Sequence, residues 1–348
     1  MTGQLPRDVL AETRHREPVA AAARATAARQ VPHAPERPSR ATHWSRVRET
    51  GTVAGLRFLY AVYRLLGRRV FGALLWPVAA WFALTRADLR AASRDWLDTH
   101  AAHFPERWPD GAPGVRDTLR HFHAFGQTIL DKALAWTAMP VEQDFTLEDP
   151  DTVRQTLSDP GGQLVIGSHL GNLEYCRGFM GQTHRRTVNV LVHDRHSVRF
   201  VEAMSRLSPD SRLNVFQVDE LDVGRVLELK GRIERGEWLF IAGDRVPVSG
   251  DARTATVDFM GRPASLPVGP YLLARTLACP VKLMFAWRDA DTVRVDLQRF
   301  AGSIELPRGD REAALATCAQ RFADALAAQA ARTPYQWFNF FSFWQHGR

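Results

Sequence analysis

The feature that most constrains this chain is an alternation of short apolar runs and longer amphipathic stretches, beginning near residue 160. Apolar runs of strand length occupy residues 163–168, 187–193, 213–218, 237–243, 281–287 and 292–300. Helix-like stretches fall between most of them, at 172–181, 197–207, 222–236 and 269–278, and a further amphipathic helix is predicted at 311–332. Strands that alternate with helices are typical of parallel sheets covered by helices. The sequence therefore predicts an α/β fold with a mainly parallel central sheet flanked by helices.

The amino-acid composition changes twice before this region, after residue 43 and after residue 86. Residues 1–43 are rich in Ala, Arg and Pro and show no apolar periodicity, which is typical of a disordered arm. Residues 44–86 alternate apolar runs with arginines and predict an N-terminal amphipathic helical region that associates with a membrane. Residues 87–348 form the predicted main domain, which opens with two amphipathic helices at about 86–100 and 115–136.

The helical segment before residue 86 is apolar but short. From Val70 to Leu84 there are 15 residues without a charge. As a helix they would span about 22 Å, whereas the hydrocarbon core of a bilayer is roughly 30 Å thick. Pro77 is expected to kink such a helix. Trp76 and Trp81 suit the boundary between membrane and water, so we expect the segment to lie in the interface. A buried packing helix is the alternative, because it has the same composition.

The net charge indicates the kind of partner that the chain binds, and the cysteine content indicates its redox compartment. The formal net charge of +7 indicates an anionic partner: nucleic acid, anionic lipid or an acidic carrier protein. No basic helix, zinc site or aromatic RNA-binding signature accompanies this charge, so nucleic acid is not expected. The three cysteines, Cys176, Cys279 and Cys318, lack metal-binding spacing and suit a reducing compartment. The first residues lack the pattern of a signal peptide. We expect neither a metal nor a cofactor.

The most informative motif is a histidine and a glutamate at the end of the first predicted strand of the alternating region. His169 follows that strand, and Glu174 falls at the start of the next helix. On one continuous helix they would point about 140° apart, so they can meet only across a strand-to-helix turn, for which Gly171 and Asn172 are suitable. A neutral imidazole can take a proton from a hydroxyl or an amine, and a carboxylate on its other nitrogen fixes the tautomer. Ser168 has no nucleophile elbow around it, which weighs against a serine hydrolase.

Four ordered motifs resemble the lysophospholipid acyltransferase superfamily and, within it, the lipid A biosynthesis (late) acyltransferases. The first is the histidine–glutamate motif, GSHLGNLE, similar to the family's His-x4-Asp/Glu motif. The others resemble its Gly-Glu, apolar run, Asp-Arg motif, its Phe-x-Gly-x-x-Ala-x-x-Pro-x-Gly motif and the small-Pro-Val strand that follows. They lie at residues 232–246, 257–275 and 278–288. Four motifs in the family's order form a specific pattern.

This resemblance implies a role for each matching residue. His169 would be the general base and Glu174 its orienting carboxylate. Asp244 and Arg245 match the Asp-Arg motif and would line the site for a substrate head group, where the guanidinium fork can hold a phosphate. Asn172 is counted among the substrate-binding residues, as are three residues expected to shape a loop beside the acyl site: Gly261, Pro267 and Gly269. Residues 87–348 would then be the acyltransferase domain.

The resemblance also implies the reaction and its place in the cell. An acyl group would pass from an acyl-carrier-protein or CoA thioester to a hydroxyl or amine of a membrane lipid, lipid A or a related glycolipid. Both donors are acidic and suit a basic protein. The expected location is the cytoplasmic face of a bacterial inner membrane. A catalytically silent, membrane-binding relative is the alternative, since a fold alone does not fix function.

Two features depart from the family pattern. The chain ends in an aromatic stretch, residues 334–344, where lipid A acyltransferases usually carry basic residues. The arginine of the family's second motif has no clear match, and Arg195 and Arg199 are only candidates.

His121 and His123 fit no metal-binding pattern and are interpreted as packing or surface residues.

Overall fold

A computed structural model describes residues 53–136, 145–180, 186–192, 213–246, 252–290 and 292–346. The predicted arm at 1–43 and the predicted helix at 197–207 lie outside these residues, as do Arg195 and Arg199. The described residues all belong to one unit of the chain, Ala41–Arg348.

The N-terminal part of the described chain is helical. Helix α1 covers Val53–Thr85, α2 covers Ala87–His103 and α3 covers Val115–Trp136. The break in α1 falls at Gly67, whose φ of 74° and ψ of 172° are non-helical, and not at Pro77 as predicted. Glycine lacks the Cβ that disfavours positive φ, so it accommodates this break. Pro77 lies on an exposed side of the helix, and the backbone stays helical through it.

The part of α1 after Gly67 has two apolar faces. One face is buried against the neighbouring helices and carries residues spaced four apart: Phe71, Leu75, Ala79 and Ala83. The other face is exposed although it is apolar, and it carries Val70, Leu74, Val78 and Trp81. The buried-helix interpretation therefore describes one side of this helix, and a membrane interface on the exposed apolar side stays a prediction. Among the described residues no single helix is long and apolar enough to cross a membrane, and only the pair Ala61–Thr85 and Ala87–His103, bent by 101°, passes that test together.

A seven-stranded sheet forms the centre of the main domain. Its strands are β1 (Phe145–Leu147), β2 (Gln163–Gly167), β3 (Val188–Val192), β4 (Leu213–Gln217), β5 (Trp238–Ala242), β8 (Val281–Asp289) and β9 (Thr292–Ala301). Their spatial order is β1-β9-β8-β2-β5-β3-β4. Every neighbouring pair is parallel except the β8–β9 pair, which is antiparallel. The predicted α/β fold with a mainly parallel sheet is confirmed.

The remaining helices connect and cover the strands. They are α4 (Pro150–Ser158), α5 (Leu173–Gly178), α6 (Val223–Glu234), α7 (Gly269–Leu277) and α8 (Arg311–Ala330). Strand β2 is buried along its whole length. Its alternate residues enter two cores, Leu164 and Ile166 on one side of the sheet and Val165 on the other. A strand covered on both faces is apolar throughout, which explains the uninterrupted run in the sequence.

One expected loop is a β-hairpin. Strands β6 (Thr254–Phe259) and β7 (Arg262–Pro267) pair antiparallel outside the main sheet. The two turn residues, Met260 and Gly261, have φ values of 56° and 75°. Two central residues with positive φ match the right-handed twist of paired strands, which favours a tight hairpin. The hairpin runs directly into α7.

Candidate active site

The register of two neighbouring strands brings His169 and Asp244 together. Strands β2 and β5 are parallel neighbours, and Gly167 at the end of one pairs with Ala242 at the end of the other. His169 and Asp244 each stand two residues beyond these ends. The carboxyl ends of parallel strands meet at one edge of a sheet, where α/β proteins commonly bind ligands. The two side chains therefore face each other at that edge.

Asp244 holds His169 through two hydrogen bonds. Its Oδ1 lies 2.8 Å from Nδ1 of the imidazole, and its Oδ2 accepts the backbone N–H of His169 at 2.9 Å. An ionised carboxylate can only accept, so Nδ1 carries the proton and Nε2 has a free lone pair. The side chain of Asp244 is fully buried, whereas that of His169 is 24% exposed. Nε2 makes no hydrogen bond to the residues that the structure describes, and it is the nitrogen left for a substrate.

The charges around this pair favour a neutral histidine beside an ionised aspartate. Burial and then the positive charge of Arg245 lower the pKa of His169 to about 4, against the opposing effect of Asp244. Lys132 on α3 contributes in the same direction as Arg245. Burial opposes ionisation of Asp244, but His169 and Arg245 nevertheless lower the pKa of this carboxyl to about 2. At neutral pH the imidazole is thus in the form that can accept a proton.

Residues of the aromatic C-terminal segment, 334–344, complete the surroundings of Asp244. Nε1 of Trp337 donates to Oδ2 of Asp244 at 3.0 Å, and Nδ2 of Asn339 donates to the same oxygen at 3.2 Å. With the two bonds from His169, four donors serve one buried carboxylate. A buried charge is costly unless it is paired and hydrogen-bonded, and this set of donors meets that condition. Asp244 is therefore part of the support for His169, and its role in lining a head-group site stays a prediction.

The same segment also holds the backbone of the histidine loop. The N–H of Phe338 donates to the carbonyl of His169 at 3.1 Å, and the N–H of Gly171 donates to the carbonyl of Gln336 at 2.6 Å. Leu170 and Trp337 form an antiparallel bridge between these bonds. The loop is thus paired like a short strand with the end of the chain. Sequence reasoning missed this partner, because the aromatic stretch was interpreted only as a departure from the family pattern.

His121 supports the C-terminal segment from its other side. This imidazole is buried, with Nε2 3.0 Å from the carbonyl of Trp337 and Nδ1 2.9 Å from the hydroxyl of Ser93. Because Nε2 donates to the carbonyl, Nδ1 accepts from the hydroxyl. Burial lowers the pKa of His121 to about 4. The interpretation of His121 as a packing residue agrees with these contacts.

Arg245 also holds the C-terminal segment. Its Nε donates to Oδ1 of Asn339 at 2.7 Å, and its Nη2 donates to the carbonyl of Phe338 at 2.9 Å. Its guanidinium carbon lies 5.9 Å from the centre of the Phe341 ring. Much of the fork that was expected to hold a phosphate is therefore engaged inside the protein. The charge nevertheless stays close enough to lower the pKa of His169.

The turn between His169 and Glu174 is built from a glycine and an asparagine. Gly171 has a φ of 68°, and a Cβ on it would lie 2.0 Å from the carbonyl oxygen of Ala286. Asn172 caps α5, since its Oδ1 accepts the N–H of Glu174 at 3.0 Å, and its own N–H donates to the carbonyl of Ala286 at 2.8 Å. Glu174 lies in the first turn of the helix, as predicted, and its side chain is partly buried. The carboxylate on Nδ1 of His169, however, is that of Asp244.

Three predicted substrate residues belong to the hairpin and to the helix that follows it. Gly261 lies in the hairpin turn, where its N–H donates to Asp258 at 2.7 Å. Pro267 ends β7, and Gly269 begins α7. The hairpin reaches the active site through Phe259, whose ring centre lies 5.3 Å from that of Trp337. The described contacts place these three residues in the scaffold, and a role in binding the acyl chain stays a prediction.

The described residues contain no group of three or more His, Cys, Asp or Glu side chains that could hold a metal ion. The arrangement they do form is an imidazole oriented by a buried carboxylate, at the edge of a parallel sheet. Such a pair can take a proton from a hydroxyl or an amine and return it to a leaving group.

Comparison with known proteins identifies the family of the chain. Residues 37–346 match the model of the family described as bacterial lipid A biosynthesis acyltransferase. The match includes the helical region, the sheet, both residues of the His169–Asp244 pair and the aromatic C-terminal segment. None of the curated proteins compared with the chain matches it. The family predicted from the four motifs is confirmed, and the chain belongs to the bacterial lipid A biosynthesis acyltransferases.

Proposed function

We propose that this protein transfers a fatty acyl group from an acyl-carrier-protein or CoA thioester to a hydroxyl or amine of a membrane lipid, lipid A or a related glycolipid. One observation carries the proposal: His169, neutral and partly exposed, is held by the buried carboxylate of Asp244 at 2.8 Å. Membership of an acyltransferase family gives this pair its reaction.

The reaction needs one proton to move twice. Nε2 of His169 takes the proton of the acceptor hydroxyl as its oxygen attacks the thioester carbonyl carbon. The imidazolium that forms is stabilised by Asp244 through Nδ1. When the tetrahedral intermediate collapses, the carbon–sulfur bond breaks and the thiolate takes the proton from Nε2. The products are an acylated lipid and a free thiol, and His169 is neutral again.

The two carboxylates have separate roles in this proposal. Asp244 orients His169. The sequence motif had assigned this orienting role to Glu174. Glu174 stays a proposed catalytic residue, because it lies in the first turn of α5, five residues after His169. Its contribution is testable apart from that of Asp244, since the two carboxylates lie on different elements.

The proposed site of action is the cytoplasmic face of the bacterial inner membrane. The supporting observation is the exposed apolar face of α1, which includes Leu74 and Trp81. Exposed apolar surface rimmed by basic residues is typical of segments that lie in a membrane interface. Arg69 and Arg86 lie near the two ends of this face. Acidic thioester donors would approach from the aqueous side.

The deciding experiment is lipid mass spectrometry of a strain that lacks the gene, complemented with the wild-type chain or with His169→Ala. We expect a lipid lacking one acyl chain, restored by the wild type and not by the variant at equal protein abundance. The mass difference between the lipids of the two strains gives the length of the acyl chain. The identity of the lipid that lacks this chain gives the acceptor. Equal rescue by His169→Ala would favour the catalytically silent relative.

A further inference from the structure

The side chain of Gln336 is paired with the backbone of β8. The N–H of Arg288 donates to its Oε1 at 3.1 Å, and its Nε2 donates to the carbonyl of the same residue at 2.8 Å. Strand β2 pairs with β8 at residues 281–283. Further along β8, the amide of Gln336 takes the place that the peptide group of a neighbouring strand would fill. A primary amide both donates and accepts, so it satisfies both backbone groups of Arg288.

Arg288 is a fixed anchor for this amide. Nε and Nη2 of its guanidinium donate to Asp131 of α3 at 3.0 Å each, and Nη2 also donates to the hydroxyl of Tyr175 of α5 at 2.6 Å. The carboxylate of Asp131 is almost fully buried, and it also binds Arg68 of α1. Such bonds hold one geometry, because breaking them would leave an unpaired charge in the protein interior. The end of β8 is therefore joined to α1, α3 and α5.

The main chain of Gln336 holds the histidine loop. Its carbonyl accepts the N–H of Gly171 at 2.6 Å. The next N–H of the loop, that of Asn172, donates to the carbonyl of Ala286 in β8 at 2.8 Å. His169 stands two residues before Gly171. The loop that carries His169 is thus attached to β8 directly and to the C-terminal segment through Gln336, and the side chain of Gln336 joins these two supports to each other.

The rate of proton transfer depends on how well this loop is held. A general base must lie within hydrogen-bond reach of the proton that it takes, and a displacement of about 1 Å caused far from the chemistry can lower a rate by roughly 10²-fold. Without the two bonds of its side chain, Gln336 and the carbonyl that holds Gly171 could move away from β8. His169 would then lose part of its fixed position, although Asp244 would still bind it.

We infer that Gln336 is a positioning residue for acyl transfer: its side chain holds the end of β8, and its carbonyl holds the histidine loop where His169 can reach the acceptor. The inference rests on the proposed acyl transfer by His169. It adds to the site a residue that lies outside the four sequence motifs and that acts through the backbone.

The test compares Gln336→Met with Gln320→Met. Gln320 of α8 is partly buried like Gln336 and makes the same pair of bonds, to the backbone N–H and carbonyl of Asp258 at 2.8 Å each. Methionine keeps the length of the side chain and removes both bonds. Both variants should therefore unfold at a lower urea concentration than the wild type. Only Gln336→Met should lower kcat, by roughly ten- to hundredfold, with KM nearly unchanged.

The substrates for this assay are an acyl-CoA and the lipid that accumulates in the strain lacking the gene. Gln336→Glu is a second variant that serves if Gln336→Met does not fold. Its carboxylate can still accept the N–H of Arg288, but when ionised it cannot donate to the carbonyl. We expect kcat to fall again with KM nearly unchanged, whereas Gln320→Glu should keep the wild-type kcat.

Two outcomes would overturn the inference. Equal kcat values for the Gln336 and Gln320 variants would show that the bonds of Gln336 contribute only to stability. A higher KM with an unchanged kcat would show that Gln336 contacts a substrate directly. His169→Ala separates this inference from the proposed function. Transfer by His169→Ala would contradict both, whereas its inactivity together with a wild-type kcat in Gln336→Met would contradict the inference alone.

Discussion

Nδ1 of His169 lies 2.8 Å from Oδ1 of Asp244, although 75 residues separate them in the chain. This contact makes Asp244→Asn the most informative substitution. The asparagine keeps the shape but removes the charge that fixes the tautomer and stabilises the imidazolium. We expect acyl transfer to fall by roughly 10²–10⁴-fold, as in hydrolase triads that lose this carboxylate. The measurement is kcat/KM with an acyl thioester donor.

Glu174→Gln is the comparison for that experiment. We expect it to lower kcat/KM less than Asp244→Asn does, because Asp244 is the carboxylate on Nδ1. The reverse order of the two effects would return the orienting role to Glu174. Circular dichroism of both variants checks that the overall helical content of the chain is retained.

The pH dependence of transfer follows from the state of His169. The pKa of its imidazole is lowered from 6.5 to about 4, so the base form persists below neutral pH. We expect kcat/KM to be flat near neutrality and to decline only well below pH 6.5. Asp244 raises the pKa of His169, so Asp244→Asn should move this acid limb to still lower pH. An acid limb unchanged in the variant would contradict the proposed electrostatic link.

Trp337→Phe tests the support given by the C-terminal segment. It keeps an aromatic ring but removes the N–H that serves Asp244. A lost donor to a buried charge costs about 1–3 kcal/mol, so we expect the unfolding free energy to fall by that amount and kcat to fall about tenfold. Trp344→Phe is the control, since its N–H meets only the carbonyl of Phe259, at 3.4 Å. Equal kcat in the two variants would show that Trp337 acts only as packing.

Gly171→Ala should damage the site through the backbone. Positive φ disfavours alanine, and its Cβ would lie 2.0 Å from the carbonyl oxygen of Ala286. We expect a loss of about 2–4 kcal/mol in unfolding free energy, with loss of transfer, as the histidine loop moves. Gly302→Ala, where a Cβ meets no atom within 4 Å, should unfold at nearly the wild-type urea concentration. Similar urea midpoints for both variants would argue against the close approach.

Leu74→Glu tests the exposed face of α1. Leu74 is 50% exposed on that face, and Leu227 is 63% exposed on α6, so the same substitution at Leu227 is a matched control. Burying a leucine in lipid contributes about 1.5–3 kcal/mol, so we expect at least about tenfold weaker vesicle binding for Leu74→Glu. Leu227→Glu should bind like the wild type. Weakening by both variants to the same degree would point to charge alone.

The sequence was sufficient to predict six of the seven strands of the sheet, all except the three-residue β1, and for a physical reason. The fully buried strand β2 needs apolar residues on both faces, and this requirement leaves a run that stands out between helical stretches. The hairpin β6–β7 was missed, because it lies outside the main sheet and its turn, Met260–Gly261, is not one of the commonest hairpin pairs. The break at Gly67 was missed because a proline ten residues later is the stronger helix-breaking residue.

The candidate site was half predicted. His169 was found because it ends a strand within a motif. Its partner was assigned to the nearby Glu174, since a sequence shows local neighbours directly. A usable signal existed: His169 and Asp244 each stand two residues beyond a strand, and adjacent strands would place them side by side. Trp337 and Asn339 could not be inferred in this way, because no periodicity connects the end of the chain with the loops at the sheet edge.

The pairing of residues 336–338 with the histidine loop has a consequence for how the protein is made. Translation runs from the N-terminus, so helices, strands and His169 itself leave the ribosome before the residues that hold Asp244 and the loop. A nascent chain from which Trp337 has not yet emerged lacks two of the four donors to the buried carboxylate, those of Trp337 and Asn339. The surroundings of His169 are therefore complete only after residue 339 has left the ribosome, and a chain truncated just before Trp337 would lack both these donors and aromatic side chains of the main core.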